Sequence, residues 1–210
     1  MSEYKKLKIG IINLGINNIY SIYQATKSIG FKVNLIKPSQ SSFNVDTLIL
    51  PGTGSFSYAM DIIKKNNIDD KIFSFLSKNN KKFLGICLGM QLLFENSNEF
   101  GNTKGLGLIK GKVKKIKKTG NTNVPHIGWN KIHKTNKKGN LISKKNDNVS
   151  YYFIHSYYCN PKNKNDVSAF TKINMFKFAS AIQKNNIFAT QFHPEKSGIK
   201  GIEFLKKVLI

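Results

Sequence analysis

Arginine is absent from this chain. Its 34 basic residues are all lysine, set against 11 Asp and Glu, and the formal net charge is +23. A groove-reading nucleic-acid binder would be expected to use arginine, whose planar fork grips guanine and phosphate bidentately. Lys, Asn and Ile together fill 85 of the 210 positions. A bias spread so evenly points to drift in composition and a solvated lysine surface. The densest run, Lys110 to Lys118, alternates imperfectly and reads as an exposed strand with a basic face. Cysteine is scarce: Cys87 and Cys159 stand 72 positions apart, with no CxxC pair and no zinc-ligand spacing. A disulfide between them is not expected in a reducing compartment. No apolar run reaches the roughly 18 residues of a spanning helix, and Met1–Lys8 lacks an apolar signal core. The expectation is a soluble cytoplasmic protein with no membrane contact. With 40% apolar residues over 210 positions, a disordered chain is excluded and one substantial core is affordable.

The first half alternates strand and helix patterns. Leu7–Asn13, Phe31–Ile36, Asp46–Leu50 and Phe83–Ile86 read as strands. Asn18–Ile29, Ser55–Lys65, Asp69–Lys78 and Leu88–Glu95 read as helices. Such alternation implies a parallel sheet covered on both faces. The second half is strand-rich: 105–109, 112–116, 129–133, 151–154, 167–173, 178–183 and 187–192, closed by a helix over Ile199–Val208. No repeat or linker interrupts the chain. The expected fold is α/β over a single domain, residues 1–210: a mixed, mostly parallel sheet with helices on both faces and an antiparallel extension.

Three local patterns carry chemistry. Gly85-Ile-Cys87-Leu-Gly89 puts a cysteine between a buried strand and a helix. Glycines two positions either side permit the tight turn of a nucleophile elbow. A helix N-terminus behind the sulfur favours a thiolate, and the Leu88 N–H would point toward a developing oxyanion. The pentapeptide alone also reads as a buried structural cysteine. His193-Pro-Glu195 follows a strand. Residues i and i+2 of extended chain face opposite ways, but a proline turn lets the carboxylate reach the imidazole, giving a base and its orienter. Alone, it is also an ordinary loop. Pro51-Gly-Thr-Gly-Ser-Phe56 follows the third strand. It is either a common Gly-rich turn or a loop whose N–H groups face an anion, at the sheet edge where such folds bind ligands.

Taken together, these residues resemble the class I, triad-type glutamine amidotransferases, over nearly the whole chain. Gly85-Ile-Cys-Leu-Gly-Met-Gln91 is similar to the family's nucleophile motif, and Gln191-Phe-His-Pro-Glu195 to its His/Glu motif. Pro125-His-Ile-Gly-Trp-Asn130, Tyr152-Phe-Ile-His-Ser-Tyr-Tyr158 and Gln191–Gly198 narrow the resemblance to the glutaminase subunits of imidazole glycerol phosphate synthases.

The resemblance implies hydrolysis of L-glutamine to glutamate and ammonia, with no metal and no organic cofactor. Cys87 is the implied nucleophile, His193 the base and then acid, and Glu195 the orienter. Gly52 and Leu88 flank the oxyanion. Gln91 and Glu99 hold the amino-acid end of glutamine, with Ser156 and Tyr157 on the other wall. Pro125, His126, Trp129, Tyr152 and Lys196 match positions near a partner and the ammonia exit. His126 and His155 read equally as satisfied hydrogen-bonding residues beside the site. His133 is assigned to a surface strand and Cys159 to an inert one. The implied partner is a (β/α)8 cyclase subunit in a heterodimer, because no acceptor domain is expected within this chain; no specific nucleic acid is implied. The alternatives are a paralogue feeding a sugar-modifying partner and a non-enzyme, either a basic polyanion-binding protein or a degenerate regulatory remnant. Two loops depart from the family. Asn13-Leu-Gly-Ile-Asn-Asn18 stands where D-Y-G-M-G-N is usual, and Thr53 stands where Val is more frequent.

Overall fold

The computed structural model describes residues 6–16, 19–118, 123–135 and 141–210. Strands β1 (Lys8–Ile12), β2 (Lys32–Ile36), β3 (Thr47–Leu50) and β4 (Lys82–Ile86) are interleaved with helices α1 (Ile19–Ser28), α2 (Phe56–Lys65) and α3 (Ile68–Leu76). A short helix, α4 (Leu88–Leu92), follows β4 at once. Then come β5 (Phe94–Ser97), β6 (Thr103–Lys104), β7 (Ile109–Lys115), β8 (His126–Lys131) and β9 (His133–Lys134). The chain continues through β10 (Ser150–His155), β11 (Tyr157–Pro161), β12 (Val167–Ile173), β13 (Phe176–Lys184) and β14 (Ile187–Thr190) to α5 (Gly198–Leu209).

Among the described residues the main sheet has eight strands, in the order β2-β1-β3-β4-β14-β13-β12-β9. From β2 to β14 neighbours run parallel; from β14 to β9 they run antiparallel. This is the expected parallel sheet with its antiparallel extension. Alternate side chains feed two cores. Leu48, Leu50, Phe83 and Ala189 pack beneath α2, α3 and α4, and Ile9, Ile11, Ile49, Leu84 and Ile86 pack beneath α1 and α5. Both faces are therefore covered, which is why these strands read as continuous apolar runs.

The second half differs from the expectation in several places, among them β11, which was not expected. The helix expected through Glu95 stops at Leu92, and Phe94–Ser97 is a strand paired with β7. Residues 105–108 are not strand. Not every later strand joins the main sheet: β8 and β10 form a separate ribbon, and β11-β7-β5-β6 a four-stranded sheet. Of the Asn13–Asn18 loop, Asn17 and Asn18 lie outside the described residues. Asn13 Oδ1 accepts from Gly15 N at 2.9 Å, so Asn supplies the turn acceptor that Asp would.

The register sets the catalytic edge. Leu50 pairs with Gly85 and Ile86 with Thr190, so β3, β4 and β14 end together. Pro51, Cys87 and Gln191 are the residues that follow.

Candidate active site

Cys87 sits where β4 turns into α4, with φ 53° and ψ −107°. A non-glycine residue at positive φ carries strain of about 1–3 kcal/mol and persists only when its surroundings hold it there. They do. Cys87 N donates to Thr190 O at 2.7 Å, and Gln91 N donates to Cys87 O at 3.1 Å. Gly89 lies so close to the end of β3 that an added Cβ would be 1.8 Å from Leu50 O. Only glycine permits that approach.

His193 is 2% exposed. Its backbone is tied down by His193 N to Tyr152 O at 2.9 Å and by Ser197 Oγ to His193 O at 2.6 Å. A 3-10 turn over Pro194–Lys196 brings Glu195 back toward the ring, and the Nδ1–Oε1 distance is 2.7 Å. Nδ1–H therefore donates to the carboxylate, which leaves Nε2 as the atom that takes up and releases the second proton. Among the described residues Nε2 has no hydrogen-bond partner. Burial pushes the imidazole down, but Cys87 and Glu195 outweigh it and hold the pKa well above the usual histidine range. The side chains of residues 87, 193 and 195 are thus brought together, with an imidazolium favoured beside the sulfur.

A cavity of about 500 Å³ opens over the sulfur. Of the residues singled out by sequence, Cys87, Leu88, Gln91, Glu99, Pro125, His155, Ser156 and Tyr157 line it. Thr53 and Gly54 line it beside Leu88, and a Cβ on Gly52 would be 2.5 Å from Leu88 Cβ. The Gly-rich loop therefore packs directly on the elbow. Glu99 Oε2 accepts from Phe56 N at 2.7 Å at the start of α2. Burial and the Glu99 carboxylate raise the Tyr157 phenol.

The β8–β10 ribbon separates the remaining positions. Trp129 lies opposite Tyr152 and Ile127 opposite Ile154. These four share the outer face, where Trp129 is 57% exposed and its ring centroid is 6.0 Å from that of Tyr152. His126 lies opposite His155 on the inner face, and both are buried. Burial lowers His126 to about 4 and His155 to about 3, the latter also through His126 and His193, so both stay neutral. Lys196 is exposed beside Glu195. His133 is half-buried on edge strand β9 and stacks on Phe170 at 5.2 Å. Cys159 is buried in β11, where burial pushes its thiol well up.

The sequence reading assigned no role to Gln191, which is fully buried with Nε2 3.5 Å from Cys87 Sγ. Its position right after β14 was the available signal. Phe100, Lys115 and Ile154 also line the cavity without having been singled out. Among the described residues no cluster of His, Cys, Asp or Glu could hold a metal ion, and no helix is long and apolar enough to cross a membrane.

The sequence model of the class-I glutamine amidotransferases matches residues 10–210. The chain belongs to that family. Among characterised class-I relatives, the imidazole glycerol phosphate synthase subunit HisH of Prochlorococcus marinus is 40% identical over 200 residues, covering 95% of this chain and 96% of that protein. The chloroplastic imidazole glycerol phosphate synthase hisHF of Arabidopsis thaliana is 37% identical over 202 residues, covering 96% of this chain and 34% of the longer protein. In structure, PurLQS from Thermotoga maritima superposes with a TM-score of 0.74 at 17% identity, covering 97% and 98% of the two chains. That likeness carries the class-I amidotransferase fold.

Proposed function

We propose that this chain is the glutaminase subunit of an imidazole glycerol phosphate synthase, acting in the cytoplasm in histidine biosynthesis. It hydrolyses L-glutamine and passes the ammonia to a separate (β/α)8 cyclase subunit in a heterodimer. The observation that carries the reading is Cys87 on the wall of the cavity, with the buried His193–Glu195 pair set against its sulfur.

In the proposed reaction Cys87 attacks the amide carbonyl of glutamine. The developing oxyanion is met by backbone N–H groups at Leu88 and in the Gly52 loop; removing one such donor typically costs about 10²–10³ in rate. His193 protonates the leaving ammonia and then draws a proton from water, which hydrolyses the glutamyl thioester. Glu195 holds the ring and stabilises its charged form. Gln91, Glu99, Ser156 and Tyr157 would bind the amino-acid end of the substrate. No step needs a metal or an organic cofactor.

Free ammonia in neutral water becomes non-nucleophilic ammonium, so the product needs a protected route to an acceptor. The outer face of the ribbon, with Ile127, Trp129 and Ile154 exposed, suits a protein partner. Pro125 at the cavity rim, with Tyr152 and Lys196, would lie near the exit. The relatives' names favour the cyclase over a sugar-modifying partner. The test mixes the purified chain with a histidine-pathway cyclase and follows glutamate release and acceptor turnover. Glutamine-dependent synthesis that disappears in Cys87→Ala and returns with ammonium salt is expected. Glutamine-dependent turnover that survives in Cys87→Ala overturns the mechanism. Failure to support the cyclase, with glutaminase activity intact, overturns the partner.

A further inference from the structure

One backbone carbonyl fixes the orientation of a chain of polar side chains that runs from the ribbon to the sulfur. Tyr157 O can only accept. It receives His155 Nδ1 at 2.8 Å and Gln91 Nε2 at 3.0 Å. His155 must therefore carry its proton on Nδ1, which leaves Nε2 as an acceptor. His126 Nδ1 lies 3.0 Å from that Nε2 and must be its donor. His126 Nε2 is then an acceptor, met by Asn130 Nδ2 at 2.7 Å. On the other arm, Gln91 turns its amide nitrogen to Tyr157 O, so the same nitrogen faces Gln191 Oε1 at 3.3 Å. Gln191 is thereby obliged to present Nε2, an N–H donor, to Cys87 Sγ at 3.5 Å. Neither amide can flip without setting donor against donor or acceptor against acceptor. Protonating His155 would likewise place two N–H groups face to face across the His126–His155 contact, and protonating His126 would do so across its contact with Asn130.

We infer that Gln191 is a positioning residue for the nucleophile, holding an amide N–H on the Cys87 sulfur, and that the Tyr157 carbonyl with the His126–His155 pair locks it in that orientation. This rests on Cys87 being the nucleophile. An N–H donor stabilises a thiolate more than a thiol. Gln191 is fully buried, so no water competes for its amide. Its carbonyl end is spoken for by Gln91, which also lines the cavity. A side chain that shapes the substrate site and one that holds the nucleophile are therefore set by the same carbonyl.

Two measurements test this on the full chain. The first is the pH–rate profile for alkylation of Cys87 by iodoacetamide, read by peptide mass spectrometry, in the wild type and in Gln191→Met. Methionine keeps the length and the packing but offers no donor. The profile should move to higher pH by about one unit, as expected for losing a hydrogen bond to a charged group. Superimposed profiles in a folded variant overturn the inference. The second needs no variant: ¹⁵N NMR of the histidine rings at neutral pH should show Nδ1–H tautomers at both His126 and His155. An Nε2–H tautomer or an imidazolium at either overturns the locking chain even if Gln191→Met fails to fold. Neither readout uses glutamine or a partner. An unmoved profile in a chain with full glutaminase activity removes the role of Gln191 and leaves the proposed function standing. A displaced profile in Gln191→Met, with a wild-type chain that releases no glutamate even beside the cyclase, supports the role of Gln191 and removes the function.

Discussion

Replacing Gly89 by alanine should break the elbow mechanically before any chemistry is lost. A Cβ at that position would lie 1.8 Å from Leu50 O and 2.8 Å from Leu50 C, where ordinary contact begins at 3.4 Å. The carbonyl must retreat by roughly 1.5 Å, or α4 must lift by as much. Neither is free to move. Leu50 is fully buried and paired with Gly85 in the central ladder. The Gly52 that follows it packs on Leu88 and on Gly89 N, where its own Cβ would be at 2.5 and 2.8 Å. Overpacking in a filled core costs about 1–3 kcal/mol and sometimes more. Because the obstructing atom here is backbone rather than a rotatable side chain, about 3 kcal/mol or more is expected. That is a large share of the ~5–15 kcal/mol that holds a domain together. Gly54→Ala is the contrast. It has φ +110° but no atom within 4 Å of the added Cβ, so it should lose only backbone strain, about 1–2 kcal/mol. Urea unfolding followed by circular dichroism separates the two. If Gly89→Ala unfolds within about 1 kcal/mol of the wild type, the close approach of β3 and α4 does not constrain the elbow and the reasoning fails.

Cys87→Ala should abolish glutaminase turnover with the fold retained, whereas Cys159→Ala, deep in β11, should keep most of the activity and lose about 1 kcal/mol from the emptied space; steady-state glutamate release and thermal melts read both. Stability should peak near pH 6.5. Below it, His126 and His155, lowered to about 4 and 3, stay neutral in the fold while the unfolded chain takes up protons, so stability falls with pH from 6.5 toward 3. Above it, His193, whose pKa is raised, keeps a proton that the unfolded chain releases, so stability falls again with rising pH, less steeply in Cys87→Ala, which lacks the sulfur. Urea midpoints from pH 4 to 9 should trace this shape, and a curve flat below pH 6.5 would refute the neutral histidine pair. Nucleic-acid binding should be weak, indifferent to sequence and lost steeply with salt, as a dispersed lysine charge implies; nanomolar affinity for one sequence in 150 mM salt, by fluorescence anisotropy, would contradict it.

The parallel half of the fold and the motifs at its edge were legible because their signals are local. Strands buried on both faces are short apolar runs, and Gly85–Gly89 and His193–Glu195 carry their geometry within five and three residues. The misreadings involve pairings that local pattern does not encode. Leu92-Leu-Phe94 is apolar enough to extend a helix, but α4 ends there because Phe94 is drawn into the core and pairs with Ile109 of β7. β11 is absent from the strands expected by sequence, and it ends in Pro161, a residue that argues against a central strand. It is in fact the edge of its sheet, where a missing N–H costs nothing. The His126–His155 contact spans 29 positions, and Gln91 meets Gln191 across 100. A hydrogen-bond chain assembled from three separate sheets leaves no periodic trace in the sequence.

Strand register ties these distant pieces to one another. The side-chain period of a strand is two, so slipping β14 by one residue against β4 would exchange its faces. Ala189, now in the core beneath α2 and α4, would trade places with Phe188, which packs on the opposite side. The same slip would carry Gln191 away from the sulfur and move His193 off the Tyr152 carbonyl that holds it. Burial of Ala189 and Phe188 on their proper faces therefore selects the only register in which the amide of Gln191 and the ring of His193 both reach Cys87. The hydrophobic core thus fixes the geometry of a polar site to which it contributes few atoms. That is why Gly89, which touches no reacting group, is a more sensitive test of this edge than most residues lining the cavity.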